Sequence, residues 1–450
     1  MTLEKSLEAI NENSTIVEVY GLGYVGFPLA VRLASGDISV VGIDVNQERI
    51  ERLEKNELMD SEIHLEAEFV ECRKNKKFML QTQPEKLSTQ KIGIICVPTP
   101  IPTQNIDSDI FVKSAVEKFL ETSNSGDVII LESSIEVGTT DKIKKMIESK
   151  GFKVGDNFGL CFCPERIDPA NKEWGIENIP RIIYCSDDDS YKISKEVYNH
   201  VNQGNLLRVS SAKIAEIVKS FENTFRLVNI ALVNELAILC DKLGVNVKEI
   251  IDAAATKPFG FMPHYPGAGA GGHCIPKDPR FLLESAKNKG IDFNTIEHAL
   301  EINQFMPKYI ANQIMEKIEN ENLNKSVLIC GLSYKANVED MRDSPSFKII
   351  NELRQKNVKV YGYDKYFDSK FLEKYLIENH LTKFDCEIID SLEDKIINDI
   401  GCLCIVQHHK SDQEDILQIY HKGLIPFIYD CQNKIKKNLN VKTILEFLGD

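Results

Sequence analysis

A single thiol stands in a loop whose composition could serve covalent chemistry. In the stretch PGAGAGGHCIPKDP (266–279), four of the six residues 267–272 are glycine, and Cys274 follows them. Glycine-rich backbone is entropically costly to order, so it usually marks a close approach to a turn, a ligand or another backbone. A thiol carried by such a loop is a candidate nucleophile. The alternative is a buried structural cysteine, and this stretch alone does not decide between the two.

Polar residues on a long helical segment could assist such a thiol. Lys219 and Asn223 stand four residues apart, so they share one face of the predicted helix. Apolar positions border that face, which predicts partial burial, and a buried lysine is costly unless it is paired or used in catalysis. The alternative is an exposed lysine at the edge of the apolar stripe.

A loop constrained by prolines clusters further charges. The stretch CPERIDPAN contains Glu165, Arg166 and Asp168. Two carboxylates beside a guanidinium suit general-base work or substrate positioning. From these residues alone, a surface salt bridge is the favoured interpretation.

A glycine turn predicts a dinucleotide site. GLGYVG follows an apolar, strand-like run and precedes a helical pattern. Gly21 allows the tight turn, Gly23 lets a pyrophosphate approach, and Gly26 lets helix and strand pack closely. The N–H groups at the start of the helix would bind the phosphates.

The next strand ends on an acidic residue, as a dinucleotide site requires. Asp44 stands eighteen residues after Gly26. Its carboxylate would accept hydrogen bonds from an unphosphorylated ribose and repel a 2′-phosphate, which favours NAD over NADP. Glu18 is a charged residue in what should be the innermost strand, and the sequence offers no reason for it.

Three more stretches follow strand-like runs and could bind ligands. CVPTP (96–100) and LESSIEVGTT (131–140) lie where open α/β sheets bind ligands, beyond the carboxyl ends of strands. Capped strand-to-helix loops are the alternative for both. GLSYKANVEDMRDSPS carries Lys335 and Arg342, cations that suit a phosphorylated ligand. Charged loop residues of an acidic protein are the competing explanation.

The elements that position these residues alternate at both ends of the chain. Apolar runs separated by helical stretches predict parallel sheets covered by helices on both faces. Between them, residues 212–243 repeat apolar positions at helical spacing without a proline, which predicts one long helix. The predicted fold is therefore α/β, with two Rossmann-like, doubly wound parallel-sheet domains joined by a long central helix. The second of these domains lacks GxGxxG, and whether the two are a duplication stays open.

Composition excludes several classes of partner. The net charge of −14 over 450 residues argues against nucleic acid and anionic membranes, which need basic patches. We find no apolar run near the roughly 20 residues of a membrane-spanning helix and no signal-peptide pattern at the start, so we expect a cytoplasmic protein. The twelve cysteines are scattered, and neither disulfides nor a metal site is expected.

Together these motifs resemble the nucleotide-sugar dehydrogenase family, typified by UDP-glucose and GDP-mannose dehydrogenases. The resemblance is most specific in GLGYVGFPLA, CVPTP, GAGAGGHCIPKDP and GLSYKANVEDMRDSP. PERIDPAN and residues 255–279 look like the UDP-N-acetylhexosamine 6-dehydrogenases, above all those that oxidise UDP-N-acetyl-D-glucosamine. Some departures concern the sugar: Lys257 or Pro258 stands where many relatives carry an arginine, and His264 replaces an expected phenylalanine.

The resemblance implies a role for each motif. It implies NAD as cofactor and a UDP-sugar substrate. Independently of the resemblance, the length and apolar stripe of the central helix predict a homodimer formed through that helix. The implied domains are 1–206 for NAD, 207–305 for dimerisation and the cysteine loop, and 306–450 for the UDP-sugar. The implied catalytic residues are Cys274, Lys219, Asn223, Asp278, Glu165 and Ser134. The implied NAD contacts are Gly21, Gly23, Tyr24, Val25, Gly26, Asp44, Pro98 and Thr99. The implied substrate contacts are Lys335, Arg342, Lys219, Asn223, Gly271 and Arg166.

The implied reaction explains why a thiol is needed. Family members oxidise a primary alcohol to a carboxylate with two NAD, and the intermediate aldehyde must bind a second heteroatom before it can be oxidised again. Cys274 would supply it as a thiohemiacetal and then a thioester. Alternatives remain: UDP-N-acetylmannosamine, UDP-N-acetylgalactosamine or UDP-glucose as substrate, a two-electron dehydrogenase that needs no thiol, or a nucleotide-sugar-binding protein without catalysis.

Overall fold

The structure is a computed structural model in which the chain divides into two units. It describes Leu3 and residues 15–100, 107–167, 173–202, 205–272, 274–368, 370–372, 386–393 and 395–450. Unit 1 is Met1–Glu222 and unit 2 is Asn223–Asp450. The bounds of the three domains predicted from the sequence stay a prediction.

Unit 1 contains a doubly wound sheet. Its described strands are β1 (Ile16–Tyr20), β2 (Ser39–Ile43), β3 (Phe78–Gln81), β4 (Lys91–Ile95), β5 (Val128–Leu131), β6 (Gly159–Phe162), β7 (Arg181–Cys185) and β8 (Leu206–Arg208). They pair in the order β3-β2-β1-β4-β5-β6-β7-β8, and the first six strands in this list follow the Rossmann order. Pairing is parallel except between β6 and β7, which are antiparallel.

Helices cover both faces of this sheet. The described α-helices of unit 1 are α1 (Gly26–Ser35), α2 (Gln47–Glu54), α3 (Glu66–Lys74), α4 (Ile110–Glu121), α5 (Thr139–Ser149) and α6 (Asp188–Asn202), with a 3₁₀ helix at Asp60–Leu65. Alternate residues of a strand point to opposite faces. Accordingly, Val17 and Val19 pack into one core cluster, whereas Tyr20 packs into another.

Unit 2 contains a six-stranded sheet whose strand order matches that of the first six strands in the sheet of unit 1. Its described strands are β9 (Ser326–Cys330), β10 (Lys359–Tyr363), β11 (Glu387–Ile388), β12 (Cys402–Ile405), β13 (Phe427–Asp430) and β14 (Ile444–Phe447). They pair in the order β11-β10-β9-β12-β13-β14, and all of these pairs are parallel. The described α-helices of this unit are α8 (Val247–Ala255), α9 (Asp278–Lys287), α10 (Asn294–Asn320), α11 (Pro345–Gln355) and α12 (Gln413–Lys422), with a 3₁₀ helix at Lys395–Asp399.

A long helix, α7 (Ala212–Leu243), begins in unit 1 and ends in unit 2. Its 32 residues correspond to about 48 Å at 1.5 Å per residue. In unit 1, Glu216 accepts hydrogen bonds from the amides of Gly138 (2.6 Å) and Thr140 (2.9 Å). In unit 2, Asp241 accepts from the amide of Gly449 (2.8 Å) and from the hydroxyl of Tyr309. The predicted fold class, with two Rossmann-like sheets and a long central helix, is confirmed.

By length and composition alone, α7 would also pass as a membrane-crossing helix, which the sequence analysis did not anticipate. Core helices of soluble proteins pass the same test. Charged side chains such as Lys219, Glu222 and Arg226 interrupt its apolar residues. The result is therefore weak evidence for a membrane segment.

The first turn of each sheet is built in the same way. Gly21 has a φ of 88° and Gly331 has a φ of 90°, so both lie in the left-handed region that favours glycine. The amide of Gly21 donates to Ile43 over 2.8 Å, and the amide of Gly331 donates to Tyr363 over 2.9 Å. The two turns therefore share a hydrogen-bond pattern although only the first carries GxGxxG.

The structure accounts for Glu18. Its carboxylate on β1 accepts hydrogen bonds from Lys91 Nζ on β4 (3.0 and 2.9 Å) and from the Tyr20 hydroxyl (2.8 Å). Lys91 also donates to Thr122 Oγ1 over 2.6 Å. Burial raises the pKa of Glu18, while the positive charge of Lys91 lowers it. Glu18 is therefore half of a buried ion pair within the sheet.

Candidate functional site

The glycine turn of unit 1 has the shape that a dinucleotide needs. A side-chain carbon at Gly21 would lie 2.9 Å from the carbonyl oxygen of Cys96, and one at Gly26 would collide with the carbonyl oxygen of Gly21. A side-chain carbon at Gly23 would meet nothing within 4 Å. Gly21 and Gly26 thus permit close packing, whereas the backbone at Gly23 stays accessible to a ligand.

The rest of the turn also fits a dinucleotide. Asp44 is half-buried at the end of β2, where its Oδ2 accepts from the amide of Leu22 (2.8 Å) and its Oδ1 from the amide of Asn46 (2.9 Å). A carboxylate has further lone pairs for ribose hydroxyls. No side chain caps helix α1, which begins with Val25 as N-cap and follows the half-exposed Tyr24. Uncapped N–H groups at a helix start suit phosphate.

Two strand-end loops of unit 1 carry predicted site residues. After β4, Pro98 is exposed and Thr99 is buried. After β5, Ser133 Oγ donates to the carbonyl oxygen of Val97 over 2.7 Å, so this serine joins the two loops. Ser134 is half-buried. The roles of Pro98, Thr99 and Ser134 stay predictions.

Glu165 is held by three donors. Its Oε1 accepts from the amides of Arg166 (2.5 Å) and Ile167 (2.7 Å), and its Oε2 accepts from Arg181 Nη2 (2.9 Å). Its side chain is 10% exposed. A carboxylate held in a fixed orientation on a side chain that is not fully buried suits an acid/base residue.

Arg166 forms a salt bridge, as the simpler interpretation of its loop predicted. Its guanidinium donates to both carboxylate oxygens of Glu222 (3.1 and 2.5 Å) and to the carbonyl oxygen of Pro180 (2.8 Å). A substrate role for Arg166 stays a prediction. Asp168 lies outside the described residues.

Sequence reasoning missed a buried cluster next to Glu165. Arg181 Nη1 donates to Glu132 Oε1 over 2.9 Å, and the Tyr198 hydroxyl donates to the same oxygen over 2.5 Å. Burial raises the pKa of Glu132 to about 7. The available signal was a charged residue directly beside each of two apolar strand runs, VIIL before Glu132 and IIYC after Arg181.

In unit 2, the thiol of Cys274 is exposed. All twelve cysteines lie within the described residues: nine are buried, Cys96 and Cys386 are intermediate, and Cys274 is the exposed one. The alternative of a buried structural cysteine at position 274 is therefore wrong. An accessible thiol is a condition for nucleophilic work.

The residues after Cys274 turn the chain into helix α9. The Cys274 carbonyl oxygen accepts from the amides of Lys277 (3.2 Å) and Asp278 (2.9 Å). Asp278 is fully buried, and its Oδ2 accepts from Asn223 Nδ2 over 2.6 Å. The structure thus brings together Asn223 and Asp278, which are 55 residues apart in the sequence. Lys219, one turn earlier on α7, is half-buried, as its position in the helix predicted.

The glycines before Cys274 allow the loop to pack tightly against protein. A side-chain carbon at Gly269 would lie 2.9 Å from the Asn303 carbonyl oxygen, and one at Gly271 would lie 2.6 Å from the Asp343 carbonyl oxygen. At Gly272 it would lie 2.6 Å from the Tyr334 ring. These contacts explain three of the four glycines without a sugar. A substrate contact at Gly271 stays a prediction.

A side chain that the sequence analysis did not single out holds the middle of this loop. Asn303 Oδ1 accepts from the amide of Ala270 (2.6 Å), and Asn303 Nδ2 donates to the carbonyl oxygen of Ala270 (3.0 Å). Asn303 lies on α10 and is 4% exposed. One side chain therefore fixes both polar groups of a residue four positions before the thiol.

The two predicted phosphate-binding cations lie in the loop after β9. Arg342 pairs with both carboxylate oxygens of Asp340, and 44% of its side chain remains exposed. Lys335 is half-buried. The carbonyl oxygen of Arg342 accepts from the amide of Gly272 over 2.9 Å, which joins this loop to the cysteine loop within unit 2.

Unit 2 does not fit a second dinucleotide. Asp364 directly follows β10, as Asp44 directly follows β2. Its Oδ2 accepts from the amides of Leu332 (2.7 Å) and Ser333 (2.8 Å) and from His409 Nε2 (3.0 Å). Asp364 is 3% exposed. Protein donors therefore occupy the carboxylate that would have to bind a ribose.

Three models of the UDP-glucose/GDP-mannose dehydrogenase family match the chain. The NAD binding domain matches residues 15–202, the central domain matches 213–305 and the UDP binding domain matches 328–437. Together they cover most of the sequence.

Two relatives and one solved structure are similar over 79% or more of this chain. UDP-N-acetyl-D-mannosamine dehydrogenase of Methanococcus vannielii is 34% identical over 431 residues, which cover 94% of this chain and 93% of that protein. UDP-N-acetyl-D-glucosamine 6-dehydrogenase of Salmonella typhi is 32% identical over 359 residues, 79% of this chain and 83% of that protein. The solved structure of the UDP-D-ManNAc dehydrogenase from Pyrococcus horikoshii has a TM-score of 0.80 and 29% identity, and covers 96% of this chain and 99% of that one.

Proposed function

The chain belongs to the UDP-glucose/GDP-mannose dehydrogenase family, and we propose that it oxidises the C6 hydroxymethyl group of a UDP-N-acetylhexosamine to a carboxylate through a thioester on Cys274. It is an NAD-dependent UDP-sugar dehydrogenase. The observation that carries the finer proposal is the exposure of the Cys274 thiol alone among twelve cysteines, in a loop that glycine packing and Asn303 hold in place.

Gly21, Gly23, Gly26 and Asp44 hold the cofactor in this proposal. When bound, NAD accepts two electrons in each of the two oxidations. The open backbone at Gly23 and the uncapped start of α1 support this assignment, because both suit a pyrophosphate. Lys335 and Arg342 bind the UDP, since they follow the first strand of the second sheet, at the side where such sheets bind nucleotides.

The thiol enters after the first oxidation has produced an aldehyde. The sulfur of Cys274 adds to the aldehyde carbon, a C–S bond forms, and the carbonyl oxygen takes up a proton to give a thiohemiacetal. Loss of a hydride from this carbon, which bound NAD would accept, and of the hydroxyl proton converts it to a thioester. Lys219 and Asn223 stabilise the oxyanions that form at this carbon.

Water then releases the acid. Its oxygen adds to the thioester carbon, Glu165 accepts the proton, and the C–S bond breaks with the thiolate as leaving group. Asp278 and Ser134 orient the water. The contacts that fix the Glu165 carboxylate, and the hydrogen bond between Asn223 and Asp278, support these assignments.

The configuration of the sugar at C2 separates the two leading substrates. We place UDP-N-acetyl-D-mannosamine first, because the relatives named for it cover nearly the whole chain, and UDP-N-acetyl-D-glucosamine second. The motifs PERIDPAN and 255–279 favour UDP-N-acetyl-D-glucosamine. UDP-N-acetylgalactosamine and UDP-glucose complete the set of alternatives.

A substrate panel tests the proposal. Purified protein with NAD is offered each of the four UDP-sugars, and NADH and uronic acid are measured. We expect two NADH per sugar with one N-acetylhexosamine. One NADH per sugar would support a two-electron dehydrogenase instead. Calorimetric binding of a UDP-sugar without any NADH would support a binding protein without catalysis.

A further inference from the structure

Arg181 lies at the start of β7 with its guanidinium buried, so its positive charge requires partners of opposite charge. Its side chain is 2% exposed, and a buried charge is costly unless it is paired. Arg181 Nη1 and Nη2 each donate over 2.9 Å, the first to Glu132 and the second to Glu165. The planar fork of arginine thus joins two carboxylates in a fixed geometry.

Two neighbours fix the guanidinium itself. The Glu132 side chain is fully buried and is held by the Tyr198 hydroxyl at 2.5 Å. The ring of Tyr198 also lies under the guanidinium, 4.7 Å from its central carbon. Arg181 is therefore constrained by a charge and by a ring face.

The outer member of the cluster is Glu165. It is 10% exposed, while Glu132 is not exposed at all. The main-chain amides of Arg166 and Ile167 donate to Glu165 Oε1. Among the described side chains, only Arg181 donates to Glu165 Oε2. The orientation of the outer carboxylate thus depends on a residue that the substrate does not need to touch.

We propose that Arg181, clamped by Glu132 and Tyr198, is the positioning residue that orients the Glu165 carboxylate for thioester hydrolysis. This inference rests on the proposed function. Stability alone does not explain why this cluster is charged, because a buried charge pair contributes little net stability compared with apolar residues of the same volume. A role in orienting Glu165 would explain it.

The charges of the cluster predict a pH dependence. Burial raises the pKa of Glu132 to about 7, so Glu132 is neutral below that pH and negative above it. An ionised Glu132 attracts the Arg181 guanidinium more strongly than a neutral Glu132 does, so it holds more firmly the fork that orients Glu165. We therefore expect the hydrolysis rate to rise as the pH increases through about 7. Glu132→Gln should abolish this rise and keep the rate near its low-pH level.

The test separates hydrolysis from the steps before it. Arg181→Lys keeps the charge but cannot join both carboxylates. We expect steady-state NADH production to fall on the order of 10²-fold, as for a catalytic group displaced by about 1 Å. A burst of NADH should remain, and mass spectrometry of the quenched protein should detect a thioester on Cys274. Tyr198→Phe should cause the same accumulation to a smaller degree.

Arg208→Lys is the matched control. Arg208 pairs with Asp188 over 2.6 Å and stacks on Tyr191 at 4.9 Å, but it is one-third exposed and lies away from Glu165 in the hydrogen-bond network. It should keep the wild-type rate and show no thioester.

The outcomes are distinct. Wild-type turnover by Arg181→Lys, or equal loss of burst and turnover, would overturn the positioning role while leaving the proposed function intact. If Arg181→Lys does not fold, Tyr198→Phe and Glu132→Gln decide: wild-type kinetics and an unchanged pH profile in both would overturn it. A wild-type protein that reduces no NAD with any UDP-sugar would overturn both proposals.

Discussion

At the scale of single residues, some candidate site residues could be predicted from residue type and spacing, whereas others became apparent only from their contacts in the structure. Asp44 was predicted from its position at a strand end eighteen residues after the glycine turn, whereas the glycine loop alone left Cys274 undecided between a nucleophile and a buried structural cysteine. Arg181 was missed because its partners are 16 and 49 residues away in the sequence. A charged residue beside a buried strand is expected to have a partner of opposite charge, because an unpaired buried charge is costly. The sequence does not identify that partner.

The pair of Glu18 and Lys91 predicts a large stability effect. Glu18→Gln leaves a buried, uncompensated lysine, so we expect the free energy of unfolding to fall by about 3–5 kcal/mol. Replacing both residues by methionine should cost much less, because no charge stays buried. Urea unfolding of the purified chain measures both. Lys118→Met, which breaks an exposed pair with Glu121, is the control and should change little. Equal losses in the single and double variants would contradict this account.

At the scale of elements, the alternation of strands and helices and the long helix could be predicted from apolar periodicity, whereas loop packing could not. The run 212–243 indicated the helix at the bounds the structure shows, Ala212–Leu243. The glycine loop was predicted as a close approach, but its neighbours Tyr334, Asp343 and Asn303 come from distant segments. Periodicity describes one element at a time and carries no information about which loops meet.

Asn303 gives the element-scale prediction. Asn303→Ala removes both hydrogen bonds to Ala270, so the loop before Cys274 should open more often. We expect amide exchange of a peptide spanning 266–275 to accelerate on the order of 10-fold, as for the loss of about 1–2 kcal/mol. Hydrogen-exchange mass spectrometry measures this. Asn312→Ala, at an exposed position of the same helix, should not alter exchange there. Unchanged protection in Asn303→Ala would show that packing, not this side chain, orders the loop.

At the scale of the whole molecule, the exposed apolar residues of α7 predict self-association. They recur at helical spacing along the helix: Ile214, Ile217, Phe221, Phe225, Leu232, Leu239 and Leu243. A continuous exposed apolar face of this kind usually marks a protein contact. The homodimer predicted from the sequence therefore stays our proposal, with α7 as the interface, and the same face explains why this helix passes a membrane-helix test.

Light scattering tests the dimer. We expect the wild-type chain at micromolar concentration to have twice the 51.0 kDa mass of the monomer. Substituting both Leu232 and Leu239 by lysine should give monomers, since two charges would be buried in the interface. Leu439→Lys, at a fully exposed leucine, should remain dimeric. A monomeric wild type would rule out this role for α7.

The central claim is that one carbon is oxidised twice, the second time while it is bound to the sulfur at position 274. The most direct test is uronic acid production by Cys274→Ser, supplied with NAD and the UDP-sugar that the wild type oxidises. We predict two NADH per acid in the wild type and no acid from the variant, because a serine hydroxyl is a poor nucleophile and a serine alkoxide is a poorer leaving group than a thiolate. Undiminished acid formation by Cys274→Ser would contradict the thioester route.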